Sequence, residues 1–318
     1  MKKLLYTVFI VAGLVALNSS CSEEDLQPSL EQDKVVEGSI TKAEDVWGIL
    51  LGAYNRMTQT PYYGRDMIIY GEIRADNAFA NGNSGRFTNI GKMSMTTTDA
   101  YASDTWTDIY EVIASSNILI ALDPAAIEGD LAEINHYIGQ AYALRALAHF
   151  DLLRMYGQQH VSGGGDVGIP YIKEYKGEDL TPSRNTLADV KSNIESDLAS
   201  AVSLMSEALN EPSHVYMSTW GSIALPSRVA LYFGERGKVI TACETIINGA
   251  NDYVIIPEAE FISSWFTKSS PNSIFELAYS TTDNNNINGL SQIYRGAAYG
   301  DIQALADLQT CLLYTSDA

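Results

Sequence analysis

The stretch from Leu131 to Tyr156 limits the fold more than any other part of the chain. Ile134, Tyr137, Ile138, Ala141, Leu144, Ala148, Leu152 and Met155 recur at three- and four-residue steps, which places them on one stripe of a helix. Ala143, Leu147 and Phe150 carry apolar character round a second side. A helix apolar over so much of its girth must be surrounded by other helices, because a single packed stripe would leave the second side in water. Gly157 is placed to stop it. The fold class that follows is mainly α.

The remaining signals agree with this. Thr41 is a candidate N-cap with Glu44 as capping-box partner, and Val46, Trp47, Leu50, Leu51 and Tyr54 follow at helical spacing. A second helix is expected from about Asp104 to Ala121, with Pro124 and the Glu128-Gly129-Asp130 turn ending the connection after it. Another runs from Thr186 to Met205, and Thr219 to Gly234 with Arg236 to Ala250 forms a helical pair about a turn at Gly237. Ala and Tyr at the crossings suggest tetratricopeptide-like helical pairs, although no clean 34-residue register can be read. Met57 to Asn89, rich in Gly, Asn and Tyr, reads as a long surface excursion. Ser273 to Tyr279 reads as an extended run, and Thr281 to Gly289 as Asn-rich loop.

The chain opens with Lys2 and Lys3 followed by an apolar run from Leu4 to Leu17, too short to anchor stably across a bilayer and therefore read as a signal peptide over 1–20. Ser19 and Ser20 precede Cys21, where a bacterial lipoprotein is cleaved and acylated, so Cys21 is the expected site of lipid attachment. Acyl chains there, palmitate among them, would hold the protein on a membrane at about 0.8 kcal/mol per buried methylene. Ser22, Glu23, Glu24 and Asp25 begin an acidic tether over 21–40.

Removing 1–20 takes two of the 20 basic residues and none of the 39 acidic ones, so the net charge deepens from −19 to −21. Such a surface repels nucleic acid, and membrane attachment would come from lipid alone. Of three cysteines, lipid would consume Cys21, Cys243 is expected to be a small buried hydrophobe, and Cys311 lies in a segment without helical or strand logic. No disulfide framework, metal motif or cofactor motif is present. Gly163-Gly164-Gly165 lacks the strand before it and the Lys-Ser/Thr after it that a phosphate loop needs.

Several segments together carry a family likeness. AYALRALAHFDLLRMYG (Ala141 to Gly157) resembles the central helix motif of the SusD/RagB family of nutrient-binding lipoproteins. WTDIYEVIASSNILIAL (Trp106 to Leu122) resembles the helix before it, GEIRADNAF (Gly71 to Phe79) an early loop motif, and Ser183 to Met205 the helix that follows. NSIFELAYS (Asn272 to Ser280) is similar to the strand-like segment after the helical pairs. The resemblance implies a SusD-like α-α superhelix with long irregular loops, occupying 41–310. It implies a protein exposed on the outer membrane and facing the exterior, which binds oligosaccharide or polysaccharide. Its partner would be a SusC-like TonB-dependent transporter, and no catalysis is implied. Family members run longer, so a C-terminal half is expected to be missing, with 311–318 as a non-native tail.

Sugar recognition needs flat aromatic faces and planar polar side chains. The chain has 19 tyrosines against 8 phenylalanines. Those in loops are the candidates: Tyr62 and Tyr63 with Asp76, Asn77 and Asn81 in one excursion, and Tyr279, Tyr294 and Tyr299 near the end. Asn and Asp also favour turns for their own backbone reasons, so each residue carries a local alternative. Arg145 and Asp151, on the central helix, are expected to anchor packing or a salt bridge. Two other readings are open: a helical-repeat scaffold for protein partners, and a secreted α-helical glycoside hydrolase using a carboxylate pair such as Glu72 with Asp76.

Overall fold

In the computed structural model, residues 38–159, 164–176, 181–250 and 253–308 are described. The expected signal peptide, Cys21, Gly163 and the tail over 311–318 lie outside these residues, as does the tether except for its last three positions. The chain divides into Met1–Ile40 and Thr41–Ala318, and every element below belongs to the second unit.

The protein is mainly helical. Helix α1 spans Ala43–Met57 and buries Val46, Leu50, Ala53, Tyr54 and Met57. Its cap lies one residue beyond the expected box. The Asp45 carboxylate, not Glu44, accepts from the backbone N–H groups of Thr41 and Lys42 and from the Thr41 hydroxyl, at 3.1, 3.3 and 3.3 Å. The helix therefore starts at Ala43, so the third helical position holds Asp45.

Met57 to Asn89 is not a surface excursion. It folds into α2 (Asp66–Ile73), strand β1 (Ala78–Ala80) and α3 (Thr88–Gly91). Ile69, Tyr70, Ile73, Ala78, Phe87 and Ile90 from this stretch form a satellite core with Ile293 and Ile302. The high Gly and Asn content hid this cluster because its closing residues lie more than 200 positions downstream.

Helix α4 (Ala100–Ile120) is capped by Asp99, and α5 spans Leu131–Tyr156, the limits read from its periodicity. Asp130 starts α5 by accepting from Ala132 N–H at 2.8 Å. Of its 26 residues 17 are buried, so no single face is in water. It packs against α4, α1 and the next long helix, α6 (Leu187–Leu204). Leu144 and Leu152 are fully buried, and truncating either to Ala would cost about 2–5 kcal/mol.

Helices α7 (Thr219–Tyr232) and α8 (Arg236–Gly249) form the expected pair, joined by three residues. The turn is made by Gly234 at φ +73°, a left-handed conformation that disfavours a side chain. Gly237 lies inside α8. Cys243 is only partly buried, because α8 has one packed side and buries none of its residues fully.

Beyond α9 (Glu258–Ser264) the chain is largely irregular, with a short α10 over Leu290–Tyr294. Ser273 to Tyr279 has no ladder partner among the described residues. Strand β2 (Ile302–Ala304) instead returns to pair antiparallel with β1, Ala78 opposite Ala304 and Ala80 opposite Ile302.

Candidate functional site

A cleft of about 1000 Å³ opens among the described residues. One wall is α7, whose Gly221, Ala224, Leu225 and Arg228 fall at helical i, i+3, i+4 and i+7 spacing and so share a face. The small residues Gly221 and Ala224 leave the floor open. Leu147 of α5 contributes from below, Tyr63, Gly64 and Ile68 from the segment after α1, and Phe275, Leu277 and Tyr279 from the extended run. Asn284, Asn285, Asn286 and Gln292 complete the rim.

Tyr63 is held by a buried carboxylate. The hydroxyls of Tyr62 and Tyr63 both donate to Oδ2 of Asp151, each at 2.7 Å, while Arg154 donates to Oδ1 at 2.6 Å. Asp151 is fully buried on α5, and these bonds serve both its oxygens. Burial and the neighbouring Asp151 charge push both phenols well above their ordinary range, so they remain protonated donors. Tyr62 is fully enclosed and stacks near Tyr63 with ring centroids 4.5 Å apart. Tyr63 is half-buried and faces the cleft.

The opposite side is tied to the end of α1. The carbonyl of Thr58 accepts from the Tyr279 hydroxyl at 2.9 Å and from Asn285 Nδ2 at 2.8 Å. Gly64 is required beneath them: a Cβ there would lie 2.3 Å from that carbonyl oxygen and 2.5 Å from Asn285 Nδ2. Residues more than 200 positions apart thus meet at one carbonyl, which fixes both sides of the cleft.

The eight expected ligand residues separate in space. Tyr63 and Tyr279 line the cleft, with Tyr62 behind it. The others surround the small sheet. Asp76 and Asn77 are exposed just before β1. Asn81 donates to Gly300 O at 2.6 Å and accepts from Asn83 N–H at 3.0 Å. Tyr294 packs against the satellite core, and Tyr299 lies under the Arg86 guanidinium at 3.7 Å. Arg228, Phe275 and Gln292 also line the cleft. The extended-run pattern contained Phe275, and the α7 periodicity contained Arg228, but neither pattern identified a cleft.

Other polar groups on the central helix are structural. Arg145 donates from Nε and Nη2 to the Asp197 carboxylate, both at 2.7 Å, and from Nη1 to Asn117 Oδ1 at 2.8 Å. Among the described residues no group of three or more His, Cys, Asp or Glu is placed to hold a metal ion, and no helix is long and apolar enough to cross a membrane. A second recess of about 480 Å³ is lined by Trp106, Tyr110, Pro170 and Tyr175.

Comparison with known proteins gives one consistent result. A SusD-like family model described as "Starch-binding associating with outer membrane" matches residues 25–231, more than half of the chain. SusD-like protein P38 of Formosa agariphila is 24% identical over 252 residues, covering 77% of this chain and 46% of the relative. Among solved structures, a putative sugar binding protein from Bacteroides vulgatus superposes with a TM-score of 0.78 at 27% identity, covering 87% of this chain and 63% of its own. A SusD superfamily protein from the same organism gives 0.79 at 26%, covering 86% and 63%. The chain therefore spans less than two thirds of the length of each of these three proteins.

Proposed function

The chain belongs to the SusD-like family, and on that premise we propose that it is a lipid-anchored protein of the outer membrane that captures oligosaccharides at the cell exterior. It delivers them to a SusC-like TonB-dependent transporter. The observation that carries this reading is the cleft, where the half-buried rings of Tyr63, Phe275 and Tyr279 meet the side chains of Asn284, Asn285, Asn286 and Gln292. Aromatic faces fit the apolar CH faces of pyranose rings, and planar amides supply a donor and an acceptor to adjacent hydroxyls. The Asp151 and Thr58 anchors hold these groups in place before ligand arrives, which lowers the ordering cost of binding.

The role is capture, not cleavage. No carboxylate lines the cleft among the described residues, and Asp151, behind Tyr63, already serves two phenols and a guanidinium and is enclosed, so it has no access to a glycosidic bond. Lipid at Cys21 with the acidic segment after it would hold the binding unit at the membrane surface.

The test is retention of the purified protein on native gels cast with a panel of polysaccharides. It is paired with pull-down from outer membranes for a co-purifying transporter, and with reducing-sugar release from the same panel. Retention on at least one polysaccharide, transporter recovery and no released sugar are expected. A protein retained by none of the gels and recovered without a transporter would sink the reading, and released sugar would make it an enzyme. Replacing Cys21 with Ala should move the protein out of the membrane fraction.

A further inference from the structure

We propose that the cleft takes an acidic oligosaccharide and that Arg228 receives its anionic substituent, a uronate carboxylate or a sulfate ester. The inference rests on the glycan-binding reading above and names the substrate class of that site.

Among the described residues that line the cleft, Arg228 is the one charged side chain. It is exposed, and it makes no hydrogen bond or ion pair with another described residue. The chain has 39 acidic and 20 basic residues, so carboxylate partners are plentiful. Arg56, Arg65, Arg86, Arg145 and Arg154 each pair with a carboxylate. Arg74 and Arg184 have no carboxylate partner either but are used up on backbone carbonyls, whereas Arg228 lines the cleft with its donors unspent on other described residues.

The buried acid behind Tyr63 does not supply a counter-charge. Asp151 is committed to Tyr62, Tyr63 and Arg154, so its charge is already met behind the Tyr63 ring. Arg228 is close enough to Tyr63 to act on its phenol electrostatically. A stacking face and a free guanidinium therefore stand side by side, with uncharged amides across the cleft. The guanidinium fork matches two oxygens of a carboxylate or sulfate, whereas a neutral hydroxyl engages it less strongly. The strongly negative remainder of the surface makes a local cation more necessary for an acidic ligand, because an anion is otherwise repelled.

The test is calorimetric titration of the purified protein with three acidic ligands: oligogalacturonate, alginate oligomers and sulfated carrageenan oligomers. Each is run beside its carboxyl-reduced or desulfated counterpart, in the wild type, Arg228→Gln and Arg228→Lys. In the wild type at least one acidic ligand should bind about tenfold more tightly than its neutral counterpart. The pair that shows the preference separates carboxylate from sulfate as the source. Arg228→Gln should erase the preference and Arg228→Lys should restore part of it, with circular dichroism confirming that both variants fold. Equal affinity for acidic and neutral members, or a preference that survives Arg228→Gln, overturns the proposal while leaving glycan capture intact. Binding of no oligosaccharide here, together with no retention on any polysaccharide gel, overturns both.

Discussion

The backbone N–H of Ile172 donates to Nε2 of His149 at 3.0 Å. On the other side of the ring Nδ1 lies 2.9 Å from the Arg145 carbonyl, an acceptor only, so Nδ1 carries the proton and Nε2 the lone pair. The ring is fully buried and stacks on Tyr171 at 3.7 Å. A second proton would face the Ile172 N–H donor to donor. Burial, with the Arg145 charge adding to it, depresses the imidazole to about 3.

A pH dependence of stability follows. In the unfolded chain a histidine titrates near about 6.5. Above that value both states are neutral and the stability is complete. As pH falls towards 3 the unfolded state takes up a proton that the folded state refuses, and stability is lost. Between pH 6.5 and 4.5 this group should cost about 2–3 kcal/mol, measured by denaturant unfolding. His149→Gln keeps an acceptor for Ile172 and a donor for Arg145 but does not titrate, so its loss over the same interval should be smaller by that amount. Parallel curves for the two proteins would refute the assignment.

The Arg145–Asp197 pair should be costly to break singly. Both partners are almost fully buried, and Asp197 Oδ2 also accepts from Tyr171 at 2.6 Å. Arg145→Met strands a buried carboxylate and should cost about 3–5 kcal/mol. Adding Asp197→Leu removes the stranded charge, so the double variant should be more stable than the single one. Chemical denaturation of the set reads this directly, and a double variant less stable than Arg145→Met would show that the pair is not the source of the loss.

The Leu131–Tyr156 helix was legible to the residue because its cause is local. An apolar pattern on more than one side, an Asp before it and a Gly after it all lie within one stretch. The satellite core was not legible, since Ile69, Phe87 and Ile90 find their cover in Ile293 and Ile302, and β1 finds β2, across more than 200 residues. The same distance hid the cleft. In the sequence Tyr63 and Tyr279 are two separate loop aromatics, and only the shared anchoring around Thr58 and Gly64 brings their segments together. Arg228 gave no signal in the pattern, because a polar residue on a helix face is ordinary until its neighbours are known.

Asp108 on α4 is a built-in weakness at neutral pH. It is buried, its Oδ2 has no hydrogen-bond partner, and burial with the nearby Glu111 raises its carboxyl to about 6. Below about pH 3.8 both folded and unfolded forms are protonated and nothing is lost. As pH rises through that value towards 6 the unfolded state ionises first, so stability falls, and the penalty is complete above 6. Asp108→Asn should therefore raise stability at pH 7 by about 1–2 kcal/mol, the shift being discounted for partial access of water. The gain should vanish at pH 3. Thermal unfolding at the two pH values tests it, and a variant no more stable than wild type at pH 7 would rule it out.

Tyr62 and Tyr63 provide the sharpest separation of binding from folding, because both hydroxyls meet the same Asp151 oxygen at the same 2.7 Å. Only Tyr63 presents a ring to the cleft. Tyr62→Phe removes one donor to a buried carboxylate and should cost about 1–2 kcal/mol of stability with unchanged glycan retention. Tyr63→Phe loses the equivalent bond yet keeps the stacking face, so retention should persist. Tyr63→Ala removes the face and should weaken retention about tenfold, equivalent to about 1.4 kcal/mol. Native-gel mobility of the three variants on a retained polysaccharide, beside their unfolding curves, distinguishes the two roles. If Tyr62→Phe and Tyr63→Ala lost retention in step with their loss of stability, Tyr63 would be a core residue and not part of the binding face.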